Sequence, residues 1–238
     1  MTRPDLFRLD DRYSLQTEWT RPLREYIMKK LPRGKRISIL EVGSGTGALI
    51  RSIRSELAER VVFIAGADQD PEVNGFAAER GGAVFITAKG EQLPFGDGCF
   101  DFVCCHFLLL WNSDPAAILR EMRRVTVSSG ICAALAEPCY AEMQAAPDPL
   151  YKLACRQREA LAAQGADTGT GRELGRYFRE SGFRRTEFGA YERTVMTRTF
   201  LEREIDRMAE DTGLEPFRIP EDGACYYHVP TYYAFAEK

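Results

Sequence analysis

Short apolar runs alternate with stretches of helical periodicity along the first half of the chain. Five apolar runs predict strands, at 37–42, 61–67, 83–87, 100–105 and 131–136. Most positions of each run are apolar, rather than every second one, which is typical of strands covered on both faces of a parallel sheet. Between these runs, apolar residues at helical spacing predict helices at 47–59, 70–80 and 114–126. The alternation of strands and helices indicates an α/β chain built from βαβ units.

The second half of the chain is less regular but continues the same mixture of elements. A helix at 18–31 is predicted before the first strand, and helices at 150–164, 172–181 and 200–211 are predicted after the fifth. Runs at 183–190 and 228–236 predict two more strands, while 137–149 and 165–171 are predicted as loops. Because no repeat, low-complexity segment or linker composition divides the chain, we expect a single domain over residues 1–238.

Composition and charge narrow the range of partners. A net charge of −3 supplies no general attraction for nucleic acid, so no nucleic-acid partner is expected. No apolar run reaches the roughly 18–20 residues of a membrane span, and the first residues lack the apolar core of a signal peptide. The seven cysteines and two histidines show no metal-ligand spacing. We therefore expect a cytoplasmic protein with no membrane partner and no metal.

A glycine-rich turn follows the first predicted strand, where residues 41–47 read EVGSGTG. Glycines at every second position let the backbone approach a ligand closely, and the N-terminus of the next helix adds N–H donors. The spacing differs from the GxGxxG turn that binds a pyrophosphate. Glu41, just before the turn, would repel a diphosphate but would suit an ammonium group. The turn therefore predicts a ligand that carries a positive charge.

A second carboxylate stands at the end of the second predicted strand. An acid at this place in an α/β fold can hold a ribose diol through two charge-assisted hydrogen bonds, which is the role we assign to Asp68. The alternative role of helix N-cap suits Asp70 better, because Pro71 follows it directly.

As a set, these motifs resemble the class I S-adenosylmethionine-dependent methyltransferases. The resemblance runs from about residue 37 to residue 138, in the usual order and spacing. It rests on the 41–47 turn, Asp68, Leu93-Pro94-Phe95, Phe100-Asp101, Asp114-Pro115 and, as in small-molecule members, Leu135-Ala136-Glu137-Pro138. The resemblance implies an α/β fold with a doubly wound, mostly parallel, seven-stranded Rossmann-like sheet, an antiparallel last strand and inserted helices. It also implies S-adenosyl-L-methionine as cofactor and S-adenosyl-L-homocysteine as product.

The same resemblance divides the chain and assigns a cofactor site. Residues 35–138 would form the cofactor-binding core, 1–34 a helical lid, and 139–182 and 199–222 helical insertions near the acceptor pocket. The glycine turn would hold the methionine half, Asp68 the ribose, and the segment after the third strand the adenine. The cofactor-binding residues implied are Glu41, Gly43, Ser44, Gly45, Gly47, Asp68, Gln69, Gly90, Glu91 and His106.

Lys89 departs from the family pattern. The family often has an acid at this place, which accepts a hydrogen bond from the adenine amino group, whereas a lysine side chain has donors only. Adenine recognition would then rest on the Gly90 backbone and on Glu91 or Gln92. Alternatively, Lys89 points to solvent.

The sequence indicates neither a catalytic residue nor the identity of the methyl acceptor. Transfer from a sulfonium is an in-line displacement that depends mainly on positioning, and a base is needed only if the acceptor must lose a proton. Tyr13, Trp19, Trp111 and Tyr140 are candidate acceptor-pocket residues, although aromatic side chains at such positions also serve as packing residues. His106 is either a cofactor contact, a base or a structural histidine.

The function predicted from these residues is methyl transfer from S-adenosylmethionine to a small-molecule acceptor. Two alternatives remain open: an NAD(P)-dependent oxidoreductase and a non-catalytic module that binds S-adenosylmethionine. Nothing in the sequence indicates the oligomeric state.

Overall fold

The computed structural model describes residues 3–32, 34–57, 59–191, 197–221 and 225–238. Five residues of the predicted segments 1–34, 47–59 and 199–222 lie outside the described residues: 1, 2, 33, 58 and 222. The helices are α1 (Arg3–Trp19), α2 (Arg21–Met28), α3 (Ala48–Glu56), α4 (Pro71–Arg80), α5 (Pro115–Val125), α6 (Asp148–Ala163), α7 (Thr170–Glu180) and α8 (Arg198–Thr212). The strands are β1 (Ile37–Val42), β2 (Val61–Asp68), β3 (Val84–Thr87), β4 (Phe100–Cys105), β5 (Thr126–Pro138), β6 (Gln144–Ala146), β7 (Thr186–Tyr191), β8 (Tyr226–His228) and β9 (Thr231–Glu237).

Seven of these strands form one sheet in the order β3-β2-β1-β4-β5-β9-β7. Strands β1 to β5 are parallel, while β9 runs antiparallel to both β5 and β7. The predicted doubly wound, mostly parallel, seven-stranded Rossmann-like sheet with an antiparallel last strand is therefore confirmed. Since the chain moves outward in both directions from β1 and β4, the sheet has a crevice at the carboxyl ends of these two neighbouring strands.

Apolar layers cover both faces of the central strands, which explains their unbroken apolar sequences. In β1, Ile37 and Ile39 pack into the cluster that includes α2 and α3, whereas Leu40 and Val42 pack into the cluster that includes α5 and α7. All four side chains are almost fully buried. Each contributes roughly 1.5–3 kcal/mol of transfer free energy relative to an exposed position. A polar substitution on either face of β1 would therefore interrupt a packed layer.

The N-terminal region differs from its prediction because one expected helix is two. Instead of a helix at 18–31, α1 ends at Trp19 and α2 begins at Arg21, with Thr20 between them. Pro22 lies in the first turn of α2, where a proline needs no backbone N–H partner. The hydrophobic pattern did not predict most of α1, which lacks a clear apolar stripe, whereas the family resemblance implied a helical lid over 1–34.

The second half differs from its prediction at two places that form a small second sheet. The predicted loop 137–149 contains β6, and the predicted strand 228–236 is interrupted, so that β8 ends at His228 and β9 begins at Thr231. Pro230 accounts for the break, because it has no N–H for a strand ladder. β6 and β8 pair antiparallel and pack with α6 and α8 around Leu150, Ile205 and Met208.

The inserted helices occupy two different places. α6 and α8 pack on each other, while α7 packs on β5 and β9 as part of the sheet's helical layer, through Leu174 and Phe178. No helix among the described residues combines the length and apolar character needed to cross a membrane.

Candidate functional site

A cavity of about 280 Å³ lies at the carboxyl ends of β1, β2 and β4, in the crevice of the sheet. The structure brings most of the predicted site residues together around it: Tyr13, Glu41, Gly43, Ser44, Gly45, Asp68, Gln69, Gly90, Glu91, His106, Trp111 and Tyr140. The residues come from α1, from the ends of four strands and from the segment after β5. We call this space the main cavity.

Two predicted residues lie elsewhere. Gly47 was expected to bind the cofactor, but it caps the N-terminus of α3 with φ of +77°, and a Cβ there would lie 2.7 Å from Cζ of Phe85. Its glycine is therefore explained by backbone conformation and packing. Trp19, a candidate acceptor-pocket residue, lines a second, smaller cavity rather than the main cavity.

The glycine turn forms the floor of the main cavity. Gly43 and Gly45 have φ of +71° and +50°, the left-handed region that favours glycine. The Gly43 N–H donates to the Ala67 carbonyl over 2.7 Å, which holds the turn against the end of β2. A Cβ on Gly45 would lie only 2.7 Å from Cε2 of Tyr13, so the α1 ring covers the turn closely. The absence of side chains here keeps the backbone open to the cavity.

Asp68 joins the end of β2 to the glycine turn. Its Oδ2 accepts a hydrogen bond from the Gly45 N–H at 2.9 Å, and its Oδ1 accepts one from the Asp70 N–H at 3.0 Å. Each carboxylate oxygen has room for a second donor. Asp70 accepts from the N–H groups of Glu72 and Val73, so the structure confirms it as the N-cap of α4. The helix cap and the cavity carboxylate are thus separate residues, as predicted.

Glu41 gives the cavity an acceptor suited to a positive group. The residue is 3% exposed, and its Oε2 has no hydrogen-bond partner among the described residues. Burial raises the pKa of this carboxyl well above its usual value, and the negative charge of Asp68 raises it further, against Arg24 and Arg51. Ser44 Oγ is also buried without a partner in the described part of the chain. These groups fit a ligand that brings an ammonium group and hydroxyl donors, as S-adenosylmethionine would.

Gly90 and Glu91, from the segment after β3, line another part of the main cavity. Gly90 packs against Val42 and Ile118, so a Cβ there would lie 3.2 Å from each of them. Glu91 accepts a hydrogen bond from the Asn112 amide, and both residues line the cavity. Lys89 is exposed and does not line it. Of the two alternatives for Lys89, the structure therefore supports the one in which it points to solvent.

His106 follows β4 and ties the sheet to the N-terminal helices. Its Nε2 lies 3.0 Å from Oγ1 of Thr20, the residue between α1 and α2. Burial lowers the pKa of this imidazole to about 3, and the positive charge of Arg24 acts in the same direction. The side chain is therefore neutral at physiological pH. A neutral imidazole with so low a pKa is a weak proton acceptor, which argues against the role of base for His106. Its position in the lining of the main cavity is compatible with a cofactor contact as well as with a structural role.

His106 should make the protein less stable in mild acid. Because its pKa is lower in the folded than in the unfolded chain, only the unfolded chain takes up this proton as the pH falls from about 6.5 towards 3. The free energy of unfolding should fall by about 1–2 kcal/mol between pH 7.5 and 5 on this account. Urea unfolding at several pH values should show that His106→Gln removes this component and that His228→Gln does not. Equal pH dependence in all three proteins would contradict the assignment.

Helical residues that the sequence did not identify form the far wall of the main cavity. They come in pairs four residues apart, which places each pair on one face of its helix. The residues are Arg12 and Gln16 of α1, Gln157 and Leu161 of α6, and Arg207 and Asp211 of α8. Arg12 pairs with Asp211 over 2.7 Å, and the Gln157 side chain bonds to Asp211 and to the Tyr227 hydroxyl. The i,i+4 spacing is visible in the sequence, but it does not tell which face meets the cavity.

The buried carboxylate of Glu137 fixes the position of the segment after β4, which lines part of the main cavity. Glu137, near the end of β5, is fully buried and accepts hydrogen bonds from the N–H groups of Leu108, Leu109 and Leu110. Burial raises its pKa to about 7, although these three bonds lower it. Leu108 and Leu110 line the main cavity, so Glu137 positions its lining without touching the space itself.

Comparison with known proteins identifies a methyltransferase domain within this chain. Residues 40–134 match the methyltransferase domain family. The chain is 32% identical over 106 residues to an uncharacterised protein of Methanocaldococcus jannaschii, which is 44% of this chain and 46% of that protein. It is 32% identical over 118 residues to a demethylmenaquinone methyltransferase of Beutenbergia cavernae, which is 47% of this chain and 45% of that enzyme. The matches span less than half the length of these curated relatives.

The fold is shared with solved structures over a greater length. A phosphoethanolamine N-methyltransferase of Haemonchus contortus, solved with S-adenosyl-L-methionine, superimposes with a TM-score of 0.63 at 11% identity. The superposition covers 94% of this chain and 56% of that one. In the described part of this chain, no group of His, Cys, Asp and Glu side chains is arranged to hold a metal ion. Residues 40–134 of this chain therefore match a methyltransferase domain, and the fold around them is shared with a solved structure of an S-adenosylmethionine-binding methyltransferase.

Proposed function

We propose that this protein transfers a methyl group from S-adenosylmethionine to a small-molecule acceptor. The observation that carries the proposal is the continuity of the main cavity. One end holds the glycine turn, Glu41 and Asp68, and the other end reaches Tyr140 and Arg207 of the inserted segments. A cofactor and a second compound could thus share one space at the carboxyl edge of the sheet.

The residues of this chain would bind and orient the cofactor. The backbone of the glycine turn and the buried carboxylate of Glu41 would hold its methionine part, and Asp68 would accept hydrogen bonds from the ribose hydroxyls. When bound, S-adenosylmethionine supplies an electrophilic methyl group on a positively charged sulfur. Tyr13 of α1 covers the glycine turn and would exclude water from this part of the site.

Neither His106 nor Tyr140 is suited to remove a proton from the acceptor. His106 is neutral and weakly basic, for the reason given above. Burial raises the pKa of Tyr140, so that its phenol keeps its proton at neutral pH. The acceptor would therefore bring a nucleophile that is already unprotonated, and the protein would act mainly by positioning it.

Calorimetry with the full chain tests the cofactor assignment. We expect S-adenosylhomocysteine and S-adenosylmethionine to bind with one site per chain and NAD(P) not to bind. Binding of NAD(P) without either adenosyl compound would overturn the proposal in favour of an oxidoreductase. Release of S-adenosylhomocysteine with an acceptor panel would then separate an enzyme from a binding module, because a module binds the cofactor without turnover.

Asp68→Ala should weaken S-adenosylhomocysteine binding by about 1.5–3 kcal/mol, or roughly 10- to 150-fold, because the ribose loses a charged acceptor. Asp70→Ala, two residues away, is the matched control. It removes the N-cap of α4 and should cost about 1 kcal/mol of stability while leaving affinity unchanged. Calorimetry and urea unfolding of both variants measure the two effects. Wild-type affinity in Asp68→Ala would place the ribose elsewhere.

A further inference from the structure

The smaller cavity, of about 90 Å³, lies beside the main cavity, and six of the fourteen residues that line it are Trp, Tyr or Phe. Trp19 and Phe200 meet edge to face there with ring centroids 5.1 Å apart. The aromatic side chains that line it are Trp19, Phe107, Tyr140, Tyr191, Phe200 and Tyr227. Four residues line both cavities: Gln16, Phe107, Tyr140 and Arg207. A compound held in the smaller cavity would therefore extend into the main one at this junction.

The shape and lining of the smaller cavity favour a flat apolar group. Aromatic walls bind a ring by stacked and edge-to-face contacts, and they offer little to a flexible polar chain. An engineered cavity of about 150 Å³ in another protein holds one benzene molecule, so a space of about 90 Å³ that opens to the main cavity admits no more than a single ring. The polar end of such a compound would lie at the junction.

Arg207 is the cationic side chain at this junction. Its Nη2 donates to Glu204, while its Nε is buried and has no acceptor in the described part of the chain. A guanidinium has donors only, and leaving one of them unpaired in a dry site is costly. A ligand oxygen beside Arg207 would supply an acceptor, and an anionic oxygen would form the stronger, charge-assisted bond.

The charges at the junction make an ammonium acceptor a poor fit. It would approach Arg207, whose Nε–H, unpaired among the described residues, can only donate, whereas the carboxylate of Glu204, which also lines the smaller cavity, already accepts from that arginine. An acceptor with an acidic oxygen also agrees with the protonation states of the neighbouring side chains. A carboxylic acid or acidic phenol ionises by itself near neutral pH, so it needs no base from His106 or Tyr140.

Resting on the proposed function, we infer that the smaller cavity is the acceptor site and that the acceptor is a single-ring aromatic compound with an acidic oxygen held by Arg207. The ring would lie among the aromatic side chains, and the acidic group would face the main cavity. This inference assigns the acceptor class and makes Arg207 its specificity-determining residue.

Three probes of similar shape and different charge test this inference: benzoate, benzamide and benzylamine. Each is titrated by calorimetry into the full chain saturated with S-adenosylhomocysteine. We expect benzoate to bind at least tenfold more tightly than benzamide, and benzylamine to bind least. Equal binding of benzoate and benzamide, preference for benzylamine, or no measurable benzoate binding would each overturn the inference, and none of these comparisons depends on a variant that must fold.

Two variants, Arg207→Met and Arg203→Met, test whether Arg207 holds the acidic group of the acceptor. Arg203 lies on the same helix and is exposed, so it is the matched control. Arg207→Met should lose at least tenfold in benzoate affinity and leave benzamide unchanged, whereas Arg203→Met should match the wild type. Wild-type benzoate affinity in Arg207→Met would contradict the assignment.

Failure of the wild type to bind S-adenosylhomocysteine would refute the proposed function, whereas cofactor binding without a preference for the acid would refute only this inference.

Discussion

Gly45→Val should reduce the affinity for S-adenosylhomocysteine by at least about a hundredfold, or about 2.8 kcal/mol. A Cβ at residue 45 would lie 2.7 Å from Tyr13 Cε2, at the point where the α1 ring covers the glycine turn. The branched side chain would extend beyond that Cβ into the main cavity. It would also strain a backbone with φ of +50°, which a β-branched residue rarely adopts. Calorimetry measures the affinity directly.

Gly34→Val separates obstruction from backbone strain. Gly34 has φ of +72°, and a Cβ there would meet no atom within 4 Å. Both variants should lose roughly 1–2 kcal/mol of unfolding free energy from left-handed strain, measured by urea titration. Only Gly45→Val should lose the ligand. If both variants bind normally, the cofactor does not contact the turn; if both fail to bind, strain rather than obstruction is the cause.

Gly171→Ala should destabilise the folded protein by about 2–3 kcal/mol, the cost typical of overpacking. The added Cβ would lie 2.4 Å from the backbone oxygen of Glu137 and 2.9 Å from Cδ2 of Tyr232. Because the nearest atom belongs to the backbone of β5, no side-chain rotation can relieve the overlap, and α7 must move away from the sheet. The shift would also displace Glu137, which holds Leu108 to Leu110 at the cavity wall. A severalfold loss of cofactor affinity should accompany the loss of stability.

Gly175→Ala is the control for this helix. A Cβ at Gly175 would have Phe188 Cγ as its nearest neighbour, at 3.8 Å, which is ordinary contact. Since alanine is the better helix former, the variant should be unchanged or stabilised by up to about 1 kcal/mol. Urea unfolding of the pair gives both values. A Gly171→Ala protein as stable as Gly175→Ala would show that α7 does not depend on this close approach.

The central strands were predictable because their buried apolar residues follow one another closely in the sequence. β1 and β4 have the predicted limits, and β2 extends the prediction by one residue, Asp68. A strand covered on both faces needs an unbroken apolar run, and no distant residue is required to recognise it. The second half lacks such runs, so the paired strands β6 and β8 and the break at Pro230 were missed.

Glycines illustrate how far a local pattern can be interpreted. Gly43, Gly45 and Gly47 form one motif in the sequence, yet only the first two line the main cavity. Gly47 is explained by Phe85, which is brought to it by the pairing of β3 with β2. Gly171 was predicted in a loop, but it begins a helix and lies against β5. In each case the deciding neighbour is distant in sequence.

Two carboxylates and a glycine turn predict the proposed cofactor end of the site from the sequence, because each lies at a strand end and its chemistry depends on a few adjacent residues. The acceptor end has no such signature. Its Gln157 and Arg207 come from α6 and α8, and both line the main cavity only because those helices pack on each other. The i,i+4 spacing of the lining residues gives the face of a helix but not its neighbour. Which helix faces pack together is a property of the tertiary structure, and it alone decided what lines the proposed acceptor end.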